Sequence, residues 1–252
     1  AQAQAAAQGQ ISKEMSIDKE VQDLMALQDY KGAADRLAKA IQENPGDAER
    51  HWQRSLLLAK AGDQTEAVKE ARKTIALKQD MKGVRIKLAQ WVGEDGATDE
   101  AIKLLTQERE LDPQNADVYH RLSGFYKEAG RKDDETKAIE KWAELAPDDN
   151  EALVALAGVK AGAGDFAASE QIFRKLAEKD PANAYKMFYN VGVSIWNAKG
   201  DVNNAVAALL KSVELKPDFA KSQKLLADCL VNQGKLAEAR THYEKFVELA
   251  PS

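Results

Sequence analysis

His51, His120, His242 and Cys229 are the residues of this chain best suited to ligate a metal or to carry a proton near neutral pH. A zinc site draws its ligands from closely spaced pairs such as Cys-x-x-Cys or His-x-x-x-His. The three histidines stand 69 and 122 residues apart, and there is one cysteine. No metal site is expected. Cys229 has no partner for an internal disulfide and lies in an apolar helical run, so it reads as a buried, inert thiol. "KAGAGDF" at 160–166 holds a short Gly-x-Gly. A phosphate-binding glycine loop needs a strand before it and a helix start after it, and no strand pattern precedes this one. The acidic pairs Asp133–Asp134 and Asp148–Asp149 fall between apolar runs, where carboxylates cap helices. No spacing assembles a Ser/His/Asp or Cys/His set. The reading is that the protein is no enzyme and carries no cofactor.

The elements that hold these residues follow from two lattices. The six prolines are Pro45, Pro113, Pro147, Pro181, Pro217 and Pro251, at intervals of 68, 34, 34, 36 and 34, with Gln79 at the vacant midpoint of the first. Gly62, Gly96, Gly130, Gly164, Gly200 and Gly234 follow at 34, 34, 34, 36 and 34, and Gln28 lies one period before Gly62. Glycine tolerates the left-handed residue that ends a helix, and proline cannot continue one. Between them lie runs of about a dozen residues with apolar positions three and four apart. In the last run Leu236, Ala239, Tyr243, Phe246, Val247 and Ala250 share a stripe. No segment alternates with period two, so no sheet is expected. The sequence predicts an all-α array of seven helix–turn–helix repeats at 14–47, 48–81, 82–115, 116–149, 150–184, 185–219 and 220–252. Residues 1–13 form an Ala/Gln-rich tail.

Composition narrows the function classes. Acids (41) nearly balance bases (36), leaving a net charge of −5. That argues against a non-specific nucleic-acid binder, which needs a basic face. No apolar run is long enough to span a membrane. The start "AQAQAAAQGQ" lacks the basic and apolar regions of a signal peptide. It reads as a processed end of an exported protein in preference to a cytoplasmic one.

The repeat resembles the tetratricopeptide repeat (TPR) family. The sixth unit carries Phe188, Val191, Gly192, Ala205 and Pro217. The seventh carries Leu226, Ala227, Leu230, Ala239, Tyr243, Phe246 and Pro251, and the fourth Tyr119, Leu122, Ser123, Tyr126 and Pro147. Glu135 and Ser169 depart from a small-residue position, and Trp142, Leu176 and Phe246 from another. The two extra residues of the sixth unit fall near "DPANAY" and "WNAKGD", where they add to turns or alter the angle between neighbouring repeats.

The resemblance implies a right-handed α-solenoid whose first helices line a concave face. Residues off the inter-helix stripe then form a groove: Trp52, Leu56, Ile86, Gln90, His120, Gly124, Val154, Gly158, Tyr189, Val193, Trp196 and Lys224. Trp52, Tyr189 and Trp196 are the candidate anchors for a partner peptide. Some family members clamp acidic chaperone tails with Lys and Asn on adjacent first helices. That pairing is absent here.

The ends suggest a second kind of partner. The last repeat finishes without a capping helix, so Tyr243, Phe246, Val247 and Leu249 are expected to offer an open apolar face. Ile17, Val21 and Leu24 mark the opposite end. Unlike ends that meet head to tail build a ring or a filament. The expected partners are therefore other protein chains, either copies of this one stacking into an extended superhelical filament or a peptide in the groove of a monomer.

Overall fold

In the computed structural model the described residues are 2–198 and 201–250, with side chains from Glu14 onward. Gly200 and Pro251, members of the two lattices, lie outside them. Fourteen α-helices and one 3-10 turn make up the described residues, and no strand occurs among them.

Two compact units divide the chain, Ala1–Glu135 and Thr136–Ser252. The first contains α1 (Gln2–Ala26), α2 (Tyr30–Glu43), α3 (Ala48–Lys60), α4 (Gln64–Leu77), α5 (Val84–Glu94), α6 (Thr98–Leu111) and α7 (Ala116–Glu128). The division falls within α8 (Lys132–Leu145). The second unit contains α9 (Asn150–Gly162), α10 (Phe166–Lys179), a 3-10 turn (Pro181–Asn183), α11 (Ala184–Asn197), α12 (Val202–Leu215), α13 (Ala220–Asn232) and α14 (Leu236–Leu249). Within each unit every helix packs on the next along the chain. α1 begins at Gln2, so residues 2–13, expected as a tail, continue the first helix in their backbone.

The turn between the helices of a pair is one structure repeated. Gly62, Gly96, Gly130, Gly164 and Gly234 adopt φ of +69 to +85°. The amide one residue later donates to the carbonyl five residues back, as in Asp63 N to Leu58 O at 2.9 Å and Lys235 N to Leu230 O at 2.9 Å. This closes the first helix with its last carbonyls satisfied. Gln28 does the same work at φ +58°, with Asp29 N donating to Leu24 O at 2.9 Å. The next helix is capped at once, because Asp29, Asp63, Asp165 and Asp201 accept amides of its first turn. Of the acidic pairs, Asp148–Asp149 lies in a turn, where Asp149 caps α9 and Asp148 pairs with Lys179 at 3.0 Å. Asp133–Asp134, expected in a turn, lies in the first turn of α8, where Asp134 pairs with Arg131 at 2.7 Å.

A second recurring device joins four of the turns on the proline lattice to the helix that follows. His51 Nε2 lies 3.2 Å from Pro45 O, Arg85 donates to Gln79 O at 2.7 Å, Tyr119 to Pro113 O at 3.0 Å and Gln223 to Pro217 O at 2.7 Å. Four different side chains thus satisfy the same carbonyl, six residues back, that the turn leaves bare. The position without proline keeps the bond. There the turn is longer, Gly83 takes φ +84°, and its amide donates to the fully buried Glu108 at 2.5 Å.

The two extra residues of the sixth repeat shift helical phase. Ala157 is fully buried and Gly158 exposed, whereas 34 residues on from Gly158 the buried residue is Gly192 itself. Leu209 Cγ stands 2.5 Å from where a Cβ on Gly192 would be; nothing comes within 4 Å of one on Gly158. One extra residue has therefore entered before Val191, rotating α11 by about 100° relative to the proline lattice. The departures from small residues are absorbed locally. Ser169 is fully buried, as are Leu176 and Trp142 to within a few per cent.

Candidate functional site

In the first unit, α1, α3 and α5 together line a cavity of about 700 Å³. Its walls repeat with the period of the sequence: Gln22, Leu56 and Gln90 stand 34 residues apart, as do Gln53 and Lys87. Leu56 and Gln90 were expected in a groove. Gln22 extends their series back by one period, a step the sequence offers once α1 counts as a first helix. Val21, Met25, Leu57 and Trp91 supply further apolar surface. Trp91 packs against Trp52, ring centroids 6.5 Å apart and tilted by 42°. Trp52 is thus a neighbour of the lining Trp91 and does not itself line the cavity.

The polar groups around this cavity sit apart from one another. Asp18 accepts from Arg50 at 3.3 Å, and Lys60 Nζ lies 5.4 Å from the centre of the Tyr30 ring. Gln90 donates to Glu94 at 3.0 Å, and Lys87 is exposed. The result is an apolar floor with a carboxylate at one edge, two ammonium groups and three primary amides. Such a surface is suited to an apolar group flanked by hydrogen-bonding amides.

One expected groove residue belongs elsewhere. Ile86 is 8% exposed and part of the core. α5 keeps the phase of α3, since Gln53 and Lys87, and Leu56 and Gln90, line the cavity one period apart, yet Ile86 is buried at the place where Trp52 is half-buried. His120 is half-buried on α7, and Gly124 is exposed with open space around it. In the second unit Gly158 and Lys224 are exposed, and Lys224 pairs with Asp228 at 3.3 Å. Val154, Tyr189 and Trp196 are half-buried against the core. Val193 is half-buried too. Tyr189 and Tyr185 meet Phe219 edge to face at 5.4 and 5.0 Å.

A different surface lies on α14 and the end of α13. Val247 is 70% exposed, Leu236 65% and Val231 44%. With Ala239, Arg240, Tyr243 and Glu244 they line a shallow hollow of about 430 Å³. Phe246 and Leu249 are half-buried. Tyr243 donates to Asp228 at 2.6 Å, which fixes its ring across the hollow and raises the phenol's pKa. At the chain's other end Ile17 and Val21 are buried, at 4% and 8%, where α1 packs on α2, and Leu24 is half-buried. Ile17 and Val21 are thus spent inside the fold and do not form an outer contact face as expected.

The titratable residues are accounted for by packing. His51 is held between Pro45 O and Glu70, at 2.5 Å, and Glu70 also takes an ion pair from Arg54. In the last repeat Gln223 and His242 stand where His51 and Glu70 do, 2.7 Å apart. Burial holds the His242 imidazole below the ordinary value, opposed by Glu238. Burial, and then Asp228, push the Cys229 thiol up to about 11. Among the described residues no three His, Cys, Asp or Glu side chains converge on a metal position. No helix among them is long and apolar enough to cross a membrane.

Comparison with known proteins adds to this geometry. The model of the tetratricopeptide repeat matches residues 19–81 and 198–252. Among solved structures, that of YrrB, a TPR protein with an unusual peptide-binding site, is 21% identical. It covers 75% of this chain and 96% of its own, with a TM-score of 0.63. The MamA protein is 19% identical over 66% of this chain and 90% of its own, TM-score 0.55. A tetratricopeptide repeat protein from Parabacteroides merdae is 15% identical over 94% and 93%, TM-score 0.60. At these identities the likeness shows the fold. A search of curated protein sequences finds no match.

Proposed function

The chain belongs to the tetratricopeptide repeat family, and on that premise we propose that it is a non-enzymatic protein-interaction scaffold that takes a partner peptide on the first helices of its first unit. The observation that carries this is the cavity of about 700 Å³ between α1, α3 and α5, apolar at its floor and in phase with the repeat. YrrB, similar in fold, is a peptide-binding protein of the same family. The peptide buries an aliphatic or aromatic side chain against Leu56, Met25 and Trp91. Its backbone meets the amides of Gln22, Gln53 and Gln90, and an acidic neighbour faces Lys60 and Lys87. The test is to select peptides on the immobilised chain from a display library and then to measure them against Leu56→Arg. The reading predicts at least a tenfold loss. Peptides that bind both proteins equally would reject it.

A second reading is self-association through α14, supported by the exposed Val231, Leu236 and Val247. Stacking of copies head to tail into a filament is the form that the repeat lattice suggests. Sedimentation of the purified chain tests it, and a monomer at high concentration would reject it.

A further inference from the structure

The face of α14 has a partner that its own sequence defines. In the repeat lattice, the second helix of each pair receives the first helix of the next. The residues one period apart at that contact are buried: Thr74 and Glu108 in the first unit, Leu176 and Ser212 in the second. Phe246 holds the same place in α14 and is only half-buried, with Val247 beside it exposed. The surface has the character of a helix-receiving site.

Head-to-tail stacking would fill it with the leading face of α1. In α5 and α7 the residues in phase on that face are apolar and buried, Val84 and Val118, Leu88 and Leu122, as are Leu57 and Trp91; α3 carries Arg50 and Arg54 there, each ion-paired with a carboxylate. In α1 the same places hold Ser16, Glu20 and Asp23, all exposed. Ser16 is hydrogen-bonded to Glu20, and Arg36 is ion-paired with it. Docking this face onto Leu236 and Val247 would strip water from two carboxylates against an apolar surface, a cost that nothing there offsets fully.

A second α14 fits better. Along the helix the outward residues are Leu236, Arg240, Tyr243, Glu244 and Val247. Read from either end the order is apolar, charged, aromatic, charged, apolar. Two such helices crossing antiparallel about a two-fold axis near His242 set each Arg240 against the partner's Glu244. Each Leu236 then meets the partner's Val247. The charges that pair within one helix at 2.7 Å become two pairs across the contact, and the apolar ends cover one another.

We propose that α14 is an isologous dimer surface whose partner is a second copy of this chain, meeting tail to tail. This rests on the reading that α14 is an assembly surface, and it replaces an open filament with a closed pair. One helix pair is a small footprint, so the dimer forms in the micromolar range, on the order of 10 to 100 µM.

The test is analytical ultracentrifugation of the whole chain up to about 300 µM, well above that range. The wild type is expected to pass from monomer to dimer and stop. R240E opposes two glutamates and E244R two arginines, so each alone should weaken the dimer at least about tenfold. An equimolar mixture of the two restores complementary pairs and should recover a heterodimer within about threefold of wild type. Circular dichroism checks that both variants keep their helix content. A wild type that stays monomeric overturns both the two-fold contact and assembly through α14. Oligomers that grow past the dimer keep self-assembly and overturn the two-fold. Single-charge variants that dimerise like the wild type place the contact elsewhere and overturn the proposal.

Discussion

Gly158 and Gly192 stand 34 residues apart and would be equivalent in an unbroken lattice, so changing both to alanine isolates what the phase shift does. Each lies within a helix, α9 or α11, and each gains about 1 kcal/mol of helix propensity as alanine. At Gly158 nothing lies within 4 Å of the added Cβ, so Gly158→Ala should stabilise by about 0.5–1 kcal/mol. At Gly192 the new carbon would lie 2.5 Å from Leu209 Cγ and 2.8 Å from its Cδ2. Leu209 is fully buried and cannot swing aside, so α11 and α12 must part. Overpacking of this kind costs about 1–3 kcal/mol. The propensity gain is common to both variants, so their difference in stability is the packing penalty alone. Urea unfolding followed by far-ultraviolet circular dichroism measures it as the gap between the two midpoints at similar slope. The expected order is Gly158→Ala above wild type and Gly192→Ala at or below it. Equal midpoints for the two variants would refute the rotation of α11 and the account of the extra residues.

Three further outcomes follow from buried polar groups. The Ser169 hydroxyl is fully buried without a hydrogen-bond partner, so Ser169→Ala should raise stability by about 1 kcal/mol in the same urea assay. Burial lowers the His242 pKa below its unfolded value, so the unfolded chain binds more protons as pH falls. Stability from this residue is therefore full above pH ~6.5 and declines below it, and His242→Gln should flatten that decline in thermal melts between pH 7.5 and about 5. With its pKa pushed up to about 11, Cys229 is a protonated thiol at pH 8. It should resist Ellman's reagent in the native protein and react once the chain is unfolded in urea.

The helix pairs were legible because glycine and proline act at single positions, through backbone conformation, whatever surrounds them. Even the substitutions at those positions follow the lattice: Gln28 takes the left-handed conformation, and Gln79 keeps its carbonyl hydrogen-bonded. Side-chain roles were less legible because they depend on helical phase. A one-residue error rotates a helix by about 100°. Ile86 is core where a groove residue was expected, although α5 stays in phase with α3, because neighbouring side chains cover it. Trp91 and Met25 line the cavity although the spacing of apolar residues marks them only as part of a stripe. Whether a stripe residue is covered depends on how closely neighbouring repeats pack, and that is set by volumes on three helices at once. Ile17 and Val21 show the same limit: their inward spacing was plain, and it puts them inside the first pair.

The most direct test of the groove is photo-crosslinking with a display-selected peptide that carries benzophenone at its apolar anchor, followed by mass spectrometry. The account predicts crosslinks to α1, α3 and α5, centred on Met25, Leu56 and Gln90. Crosslinks confined to Tyr189, Trp196 and the first helices of the second unit would contradict it.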